Sequence, residues 1–399
     1  MSRRLVVIAL VAAVSAVVPV THSVADPASP VFHAKRVCAI SFSATQAGCL
    51  SWVQTDATGR VIIDALPTAY GPAKFHRAYH LPTSSPTNQT IAIVDAFSNP
   101  NVLSDLDTYN STYGLPPFPR CKRGVTTGCI AVLNQFGKKK PLPAGNIGWG
   151  LEIALDVQVA HAICQNCRIN LYEADSNSFA NLETAVNTAA AQGANVISNS
   201  YGAFGYDCTE PGYDHPNIAV TVSSGDSGFG IACPAVERTV ISVGGTTLNL
   251  NGNGSYNSES LWRGTGSGCS GVSLAQRWQT SASNWTAIGC GTHRGMTDVS
   301  ADADPKTGAA IYDTYGFGGW IRVGGTSLSS PLIAGVYALA ANASSYAYPA
   351  QSVYLAPGSL HDVTTGSNGS CRRDPLQCNG AAGYDLPTGI GTPNGLGGF

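Results

Sequence analysis

A chain of 399 residues is too long for one minimal domain and suits one large α/β domain with appendages. Only 12% of it is charged and the formal net charge is −2, which leaves no electrostatic case for binding nucleic acid. Low charge with abundant Gly, Ser, Thr and Asn suits a secreted protein that must survive acid, where few carboxylates mean little charge imbalance as they protonate.

Residues 1–25 have the pattern of a secretory signal. Arg3 and Arg4 precede the apolar run Leu5 to Val20, and Ser23-Val24-Ala25 offers small residues for cleavage. The run is short for a membrane span and no other stretch is long enough, so export without membrane attachment is expected. Twelve cysteines in an exported chain point to disulfides. They fall into near neighbours, Cys38/Cys49, Cys121/Cys129, Cys164/Cys167, Cys208/Cys233, Cys269/Cys290 and Cys371/Cys378, and short-range pairing is the simplest arrangement, although spacing does not fix connectivity. Cys164-Gln165-Asn166-Cys167 also fits a redox or zinc site, but no second pair stands at ligand spacing.

From Asp26 to about Ser85 the segment holds one disulfide loop and little periodicity, with a short docking helix at Ala73 to Tyr79 and a linker at Pro82 to Thr87. Thr90-Ile91-Ala92-Ile93-Val94 reads as a strand buried on both faces and ends at Asp95. Helix Val102 to Tyr113 follows, then helix Gly148 to Ile163, strand Ile169 to Glu173, helix Phe179 to Ala191 and strand Val196 to Ser200. Strands Ala219 to Ser223 and Thr239 to Val243 come next. This alternation predicts a doubly wound, mostly parallel sheet with helices on both faces, whose ligands sit at the carboxyl ends of the strands. Asp95, Tyr201 and Asp226 lie at such ends. The stretch Asn249 to Gly325 is loop- and hairpin-rich.

Gly324-Gly325-Thr326-Ser327-Leu328-Ser329-Ser330-Pro331 and the apolar run Leu332 to Ala341 read as a tight turn delivering a serine to the start of a buried helix, with Thr326 or Ser327 as cap. There a hydroxyl meets the positive end of the helix dipole and amides without intrahelical partners, which is what acyl transfer needs. Eight histidines are present but none stands in a His-Gly-Thr context, and His161 reads as a helix-surface residue. Glu152 and Asp156 offer a different base. They are four apart on a helix whose other residues are apolar, so they stack in a buried place and share a proton or a partner. Such a carboxylate works in acid, where histidine is protonated. Ser224-Gly225-Asp226 puts a third acid in a glycine turn, either as a turn former or as a protonated carboxyl donating to an oxyanion.

Glu152 with Asp156, then Asp226, then Gly-Thr-Ser327, in that order, resemble the sedolisins, the serine-carboxyl peptidases on a subtilisin-like fold. The resemblance runs from about Thr90 to the C-terminus and includes Thr297-Asp298-Val299-Ser300-Ala301. It implies a secreted, acid-active endopeptidase acting on protein or peptide substrates, with Ser327 as nucleophile, Glu152 as general base, Asp156 orienting it and Asp226 stabilising the oxyanion. It also implies a structural Ca²⁺ site in the tail, with carboxylates from Asp362 and Asp385 and main-chain carbonyls from Val363, Ala381 and Gly383. Residues 86–399 would then be the peptidase domain and 26–85 a short N-terminal segment or prosegment, in a monomer. The chain departs from the family at Asp95 and Tyr201, where a glutamate and a tryptophan are usual, and in a prosegment that is usually much longer. Two other readings are a histidine-using subtilisin-like peptidase and a non-catalytic binding protein on a peptidase scaffold.

Overall fold

In a computed structural model that describes residues 31–64, 68–125, 127–371 and 374–399, three short strands come first: β1 (His33–Arg36), β2 (Gly48–Cys49) and β3 (Trp52–Thr55). Helix α1 (Pro72–Ala78) leads to β4 (Thr90–Ala96), α2 (Val102–Tyr113), β5 (Ile130–Asn134), α3 (Ile147–Ile163), β6 (Arg168–Ala174), α4 (Phe179–Ala191) and β7 (Val196–Asn199). Then follow β8 (Tyr201–Phe204), β9 (Ala219–Ser223), β10 (Ala232–Cys233), β11 (Ile241–Leu250), β12 (Tyr256–Leu261) and β13 (Cys269–Leu274). The last of these elements are α5 (Arg277–Thr280), α6 (Trp285–Ile288), β14 (His293–Gly295), β15 (Val299–Asp302), β16 (Ala309–Asp313), β17 (Gly319–Gly324) and α7 (Thr326–Ala340). The signal-like stretch 1–25 lies outside the described residues.

The main sheet has eight strands in the order β12-β11-β9-β7-β4-β6-β5, with β15 also paired to β11. Every pairing in it is parallel except β11 with β12. The chain winds outward from β4 in both directions, because β6 lies on one side of it and β7 on the other. Alternation along β4 explains the two layers. Ile91 and Ile93 join a core with Leu151 and Leu155 of α3 and Leu328 and Leu332 of α7. Ala92 and Val94 join a second core with Leu182 and Val186 of α4 on the opposite face. Among the differences from the sequence reading, β5 and the short strands β1, β2, β3, β8 and β10 were not expected, and the strand expected at Thr239 to Val243 runs instead from Ile241 to Leu250.

Phe32–Phe399 forms one compact unit. The six cysteine pairs expected from nearness are the six disulfides. Cys164 and Cys167 are therefore joined to one another and hold no ion through free thiolates. Among the described residues, no helix is long and apolar enough to cross a membrane.

Candidate active site

Helix α7 starts after Gly325, whose φ of +99° suits glycine alone at little cost. Neither Thr326 nor Ser327 caps it, contrary to expectation; Gly325 is the N-cap and offers no side chain. The cap comes from another loop. Oδ1 of Asp226 accepts from the Thr326 backbone N–H at 2.8 Å and from its hydroxyl at 2.7 Å, placing a carboxyl at the positive end of the helix. Ser327 is fully buried, and its hydroxyl donates to the carbonyl of Ser200 at 3.2 Å. Pro331, four residues on, has no N–H to give the Ser327 carbonyl, which accepts instead from the Ser200 hydroxyl at 3.5 Å. Ser200 thus holds Ser327 at both its side chain and its backbone.

Helix α3 is buried on every side from Trp149 to Ile163, so Glu152 and Asp156 sit one above the other with no access to water. A fully buried Leu or Ile contributes roughly 1.5–3 kcal/mol, and an unpaired ionised carboxylate costs more than that, so the acids respond by holding protons. Burial raises Glu152 well above the usual carboxylate range. The hydroxyls of Ser327 and Ser51 lie close enough to lower it again, although neither makes a hydrogen bond with it. Burial also raises Asp156, Glu152 adds repulsion, and Ser200 works against both.

The register of β4 on β6 sets Asp95 opposite Glu173. Asp95 makes no hydrogen bond to Glu152, yet burial and then the charges of Asp156, Glu152 and Glu173 raise it strongly. The shorter acid therefore joins the cluster through its field. Glu173 is pushed up to about 7 by burial, against hydrogen bonds from Ser98 (2.9 Å) and the Asn99 backbone. Among the described residues, none of the carboxyl oxygens of Glu152, Asp156 or Asp95 has a hydrogen-bond partner.

Asp226 is pushed up to about 6, by burial above all, while Arg36 and Thr326 pull it down. Its Oδ2 is buried without a partner. Tyr201 does not reach the acids by hydrogen bonds; its hydroxyl contacts Asn199 (2.8 Å) and Tyr213 (3.0 Å). His161 is not a surface residue. It is fully buried against Phe118, with ring centroids 3.9 Å apart, and burial lowers its pKa to about 3. It lies nine residues along α3 from Glu152, and neither ring nitrogen has a hydrogen-bond partner, Ser327 included.

The tail residues come together as the sequence grouped them. Asp362 Oδ2 accepts from the Gly383 N–H at 2.8 Å, which joins the two halves, and Asp385 Oδ2 accepts from the Ala381 N–H at 2.9 Å within the second. Asp385 is buried and raised to about 7, first by burial, with Asp362 adding repulsion. The Val363 carbonyl lies 3.0 Å from where a Cβ on Gly380 would stand, so that glycine leaves its oxygen clear. Two neighbouring carboxylates and nearby main-chain oxygens are the donor chemistry of a hard divalent cation. The one other grouping of potential ligands among the described residues, Cys208, Glu210 and Cys233, has both sulfurs committed to a disulfide.

Sequence reasoning missed Glu173, Ser200, Thr326's bond to Asp226, and the N-terminal residues Arg36, Leu50 and Ser51. Arg36 donates to the Asp226 carbonyl and, at 3.3 Å, to the Ser227 hydroxyl. That Glu173, like Asp95, stands near the carboxyl end of an apolar strand was the available signal for it.

The sequence profile of the subtilase family matches residues 134–365. Sedolisin of Pseudomonas sp. (strain 101) is 30% identical over 375 residues, which cover 81% of this chain and 60% of that protein. Kumamolisin of Bacillus sp. (strain MN-32) is 29% identical over 367 residues, covering 83% and 63% respectively. The chain thus spans about three-fifths of the length of these relatives. The solved structure of Pseudomonas sedolisin, a serine-carboxyl proteinase complexed with pseudo-iodotyrostatin, superimposes with a TM-score of 0.67 at 27% identity, over 82% of this chain and 96% of that one. An eight-stranded, mostly parallel sheet, a serine at the head of α7 and a group of buried carboxyls agree with these similarities. The chain belongs to the subtilase family, and within it its likeness is to the sedolisin branch of serine-carboxyl peptidases.

Proposed function

We propose that the protein is a secreted, acid-active serine-carboxyl endopeptidase. The observation that carries this reading is a buried hydroxyl, Ser327, at a helix N-terminus within the field of Glu152, itself one of a cluster of buried acids. Ser327 attacks the substrate carbonyl and its proton passes to Glu152. Asp156, stacked one turn away, holds the proton the pair shares and leaves Glu152 as its ionised member; when Glu152 takes the serine proton the pair becomes neutral and the negative charge passes to the oxyanion. The oxyanion is met by the first-turn amides of α7 and by Asp226, which must carry a proton on Oδ2 to donate. The protonated Glu152 then gives its proton to the leaving amine, and water hydrolyses the acyl-enzyme by the same route in reverse. Export is supported by the signal-like residues 1–25 and six disulfides.

Purified protein incubated with denatured haemoglobin or casein across acid pH tests the reading. Ser327→Ala should lose about six orders of magnitude in kcat, as nucleophile removal does elsewhere. Glu152→Gln keeps the shape but cannot accept the proton, and should lose roughly 10²–10⁴. Retained activity in either variant would refute the assignment.

For the tail we propose a structural Ca²⁺ held by Asp362, Asp385 and the carbonyls of Val363, Ala381 and Gly383. When bound, the ion neutralises two neighbouring carboxylates and ties the halves of the loop together. Chelation should lower Tm and added Ca²⁺ restore it, with a loss of about 2.7 kcal/mol where the free ion stood at a hundred times its Kd. Identical melting with and without chelator, and in Asp385→Ala, would sink the site.

A further inference from the structure

Charge is unevenly placed along this chain. Six of its 22 lysines and arginines fall between residues 108 and 151, and none of its 24 aspartates and glutamates does. The residues outside that stretch carry the other 16 bases against all 24 acids, so a basic face stands on an acidic body. Half of the six are consecutive, Lys138, Lys139 and Lys140, in the loop between β5 and α3. All three are exposed, and among the described residues none of them has an ion-pair partner. Apolar side chains on the same loop are also left in water: Phe136 is 55% exposed, Leu142 37% and Ile147 57%. Single exposed apolar residues are ordinary, but several bracketing a run of lysines make a surface of one kind.

The loop is stapled in that shape. Asn134, the buried last residue of β5, accepts at Oδ1 from the Phe136 N–H (3.1 Å) and the Lys138 N–H (3.0 Å). Its Nδ2 donates to the Pro141 carbonyl at 2.9 Å. Gly137, at a φ of +71°, sits so close to Gln192 at the end of α4 that a Cβ there would overlap that side chain. The returning arm is tied to Ser98, whose N–H donates to the Ala144 carbonyl at 3.1 Å and whose carbonyl accepts from the Asn146 N–H at 3.2 Å. Phe136 and the lysines are thus presented by a fixed turn and need little ordering when something binds. The place also matters. Asn134 stands opposite Glu173, and Glu173 opposite Asp95, in parallel strands. The loop therefore leaves the sheet from the same edge as the buried acids, two strands or about 10 Å across from Asp95.

Lysines attract any anion, and the apolar residues decide which. A dissolved polyanion has nothing to offer Phe136 and Leu142. An anionic bilayer presents phosphates to the ammonium groups and an apolar layer just beneath them. We propose that the loop 135–147 is a peripheral membrane contact, with Lys138, Lys139 and Lys140 on the phosphates of anionic lipid and Phe136 and Leu142 entering between the headgroups. Such a contact needs no spanning helix. With three cations and two apolar side chains it is reversible, because lasting attachment takes stronger anchors. It brings the edge of the sheet that carries the acids to the bilayer surface, within reach of protein segments displayed there. The contact stands whether or not Ser327 acts as a nucleophile. Lys122 and Arg123 are exposed beside the start of β5, where the Cys121 N–H donates to the Ile130 carbonyl at 2.8 Å. They lie at the opposite end of the strand and outside the contact.

The test is co-sedimentation of the purified protein with vesicles of phosphatidylcholine alone, or of phosphatidylcholine mixed equally with phosphatidylglycerol, at low and high salt. Binding is expected to the mixed vesicles alone and should weaken as salt rises. Changing Lys138, Lys139 and Lys140 together to Gln should lower the partition coefficient about a hundredfold, from about fivefold for each charge. Phe136→Ser should lower it about tenfold and leave the salt dependence as it was. Lys122→Gln with Arg123→Gln should cost less than either change, and all variants should melt as the parent does. The proposal is overturned if the protein ignores both vesicles, binds the neutral ones equally, or keeps its affinity without the three lysines. It is equally overturned if Phe136→Ser binds as tightly as the parent, since the attraction is then to charge alone. A loss at Lys122 and Arg123 as large as that at the three lysines would also overturn it, by spreading the attraction over the whole basic face.

Discussion

Asp226 does two jobs with two oxygens, and they separate by pH. Oδ1 caps α7 through Thr326 in either protonation state, while in the proposed mechanism Oδ2 would serve an oxyanion only when protonated. Burial holds that proton on up to about 6. Above that value the donor is lost, so kcat/KM should fall about tenfold per pH unit on the alkaline side. Asp226→Asn keeps a donor at every pH and should flatten that limb, whereas Asp226→Ala should lose roughly 10²–10³ in kcat throughout, as removal of an oxyanion donor does. A pH–rate profile of the three proteins checks it, and an unchanged limb in the asparagine variant would count against the role.

At the scale of elements, the turn between β17 and α7 is the most constrained point of the site. Gly325 combines a φ of +99° with the close approach of Leu50 and Asp226. Gly325→Ala should therefore cost about 1–3 kcal/mol in strain and displace Ser327, with activity lost in protein that still melts cooperatively. The helices were legible in the sequence because long apolar runs with clear ends leave little choice: α2 and α4 have the expected limits, and α3 and α7 lie within a residue or a few. Glu152 and Asp156 were legible for the same reason, since their spacing on a buried helix fixes their stacking. Asp95's partnership with Glu173 was not, because it depends on which strands become neighbours. The two-residue β2 and four-residue β1 and β3 carry no periodicity to read, so the contact of Leu50 and Ser51 with the acids was invisible. His161 looked like a surface group only because the loop bearing Phe118, which covers it, is far away in sequence.

Over the whole molecule, the buried acids link folding to pH. Glu173 at about 7 and Asp226 at about 6 lie above their ordinary 4.5 and 3.8, and Asp95, Glu152 and Asp156 are raised as well. Between those ordinary values and the raised ones the folded chain binds more protons than the unfolded chain. Stability is thus fully present below about 4 and falls as pH rises toward 7. Thermal melts of Ser327→Ala, which avoids self-digestion, should show Tm decreasing across that range; a Tm that climbed instead would contradict the protonated cluster. The pairing of β3 with β17 has a last consequence. Those strands belong to one four-stranded sheet, β1-β3-β17-β16, whose third member runs straight into the turn before Ser327. Residues 52 to 55 are thereby sewn into the fabric that carries Ser327. A recombinant protein begun at residue 86 would tear out one thread of that cloth, and should be recovered misfolded or inert even though each acid and the serine are still encoded.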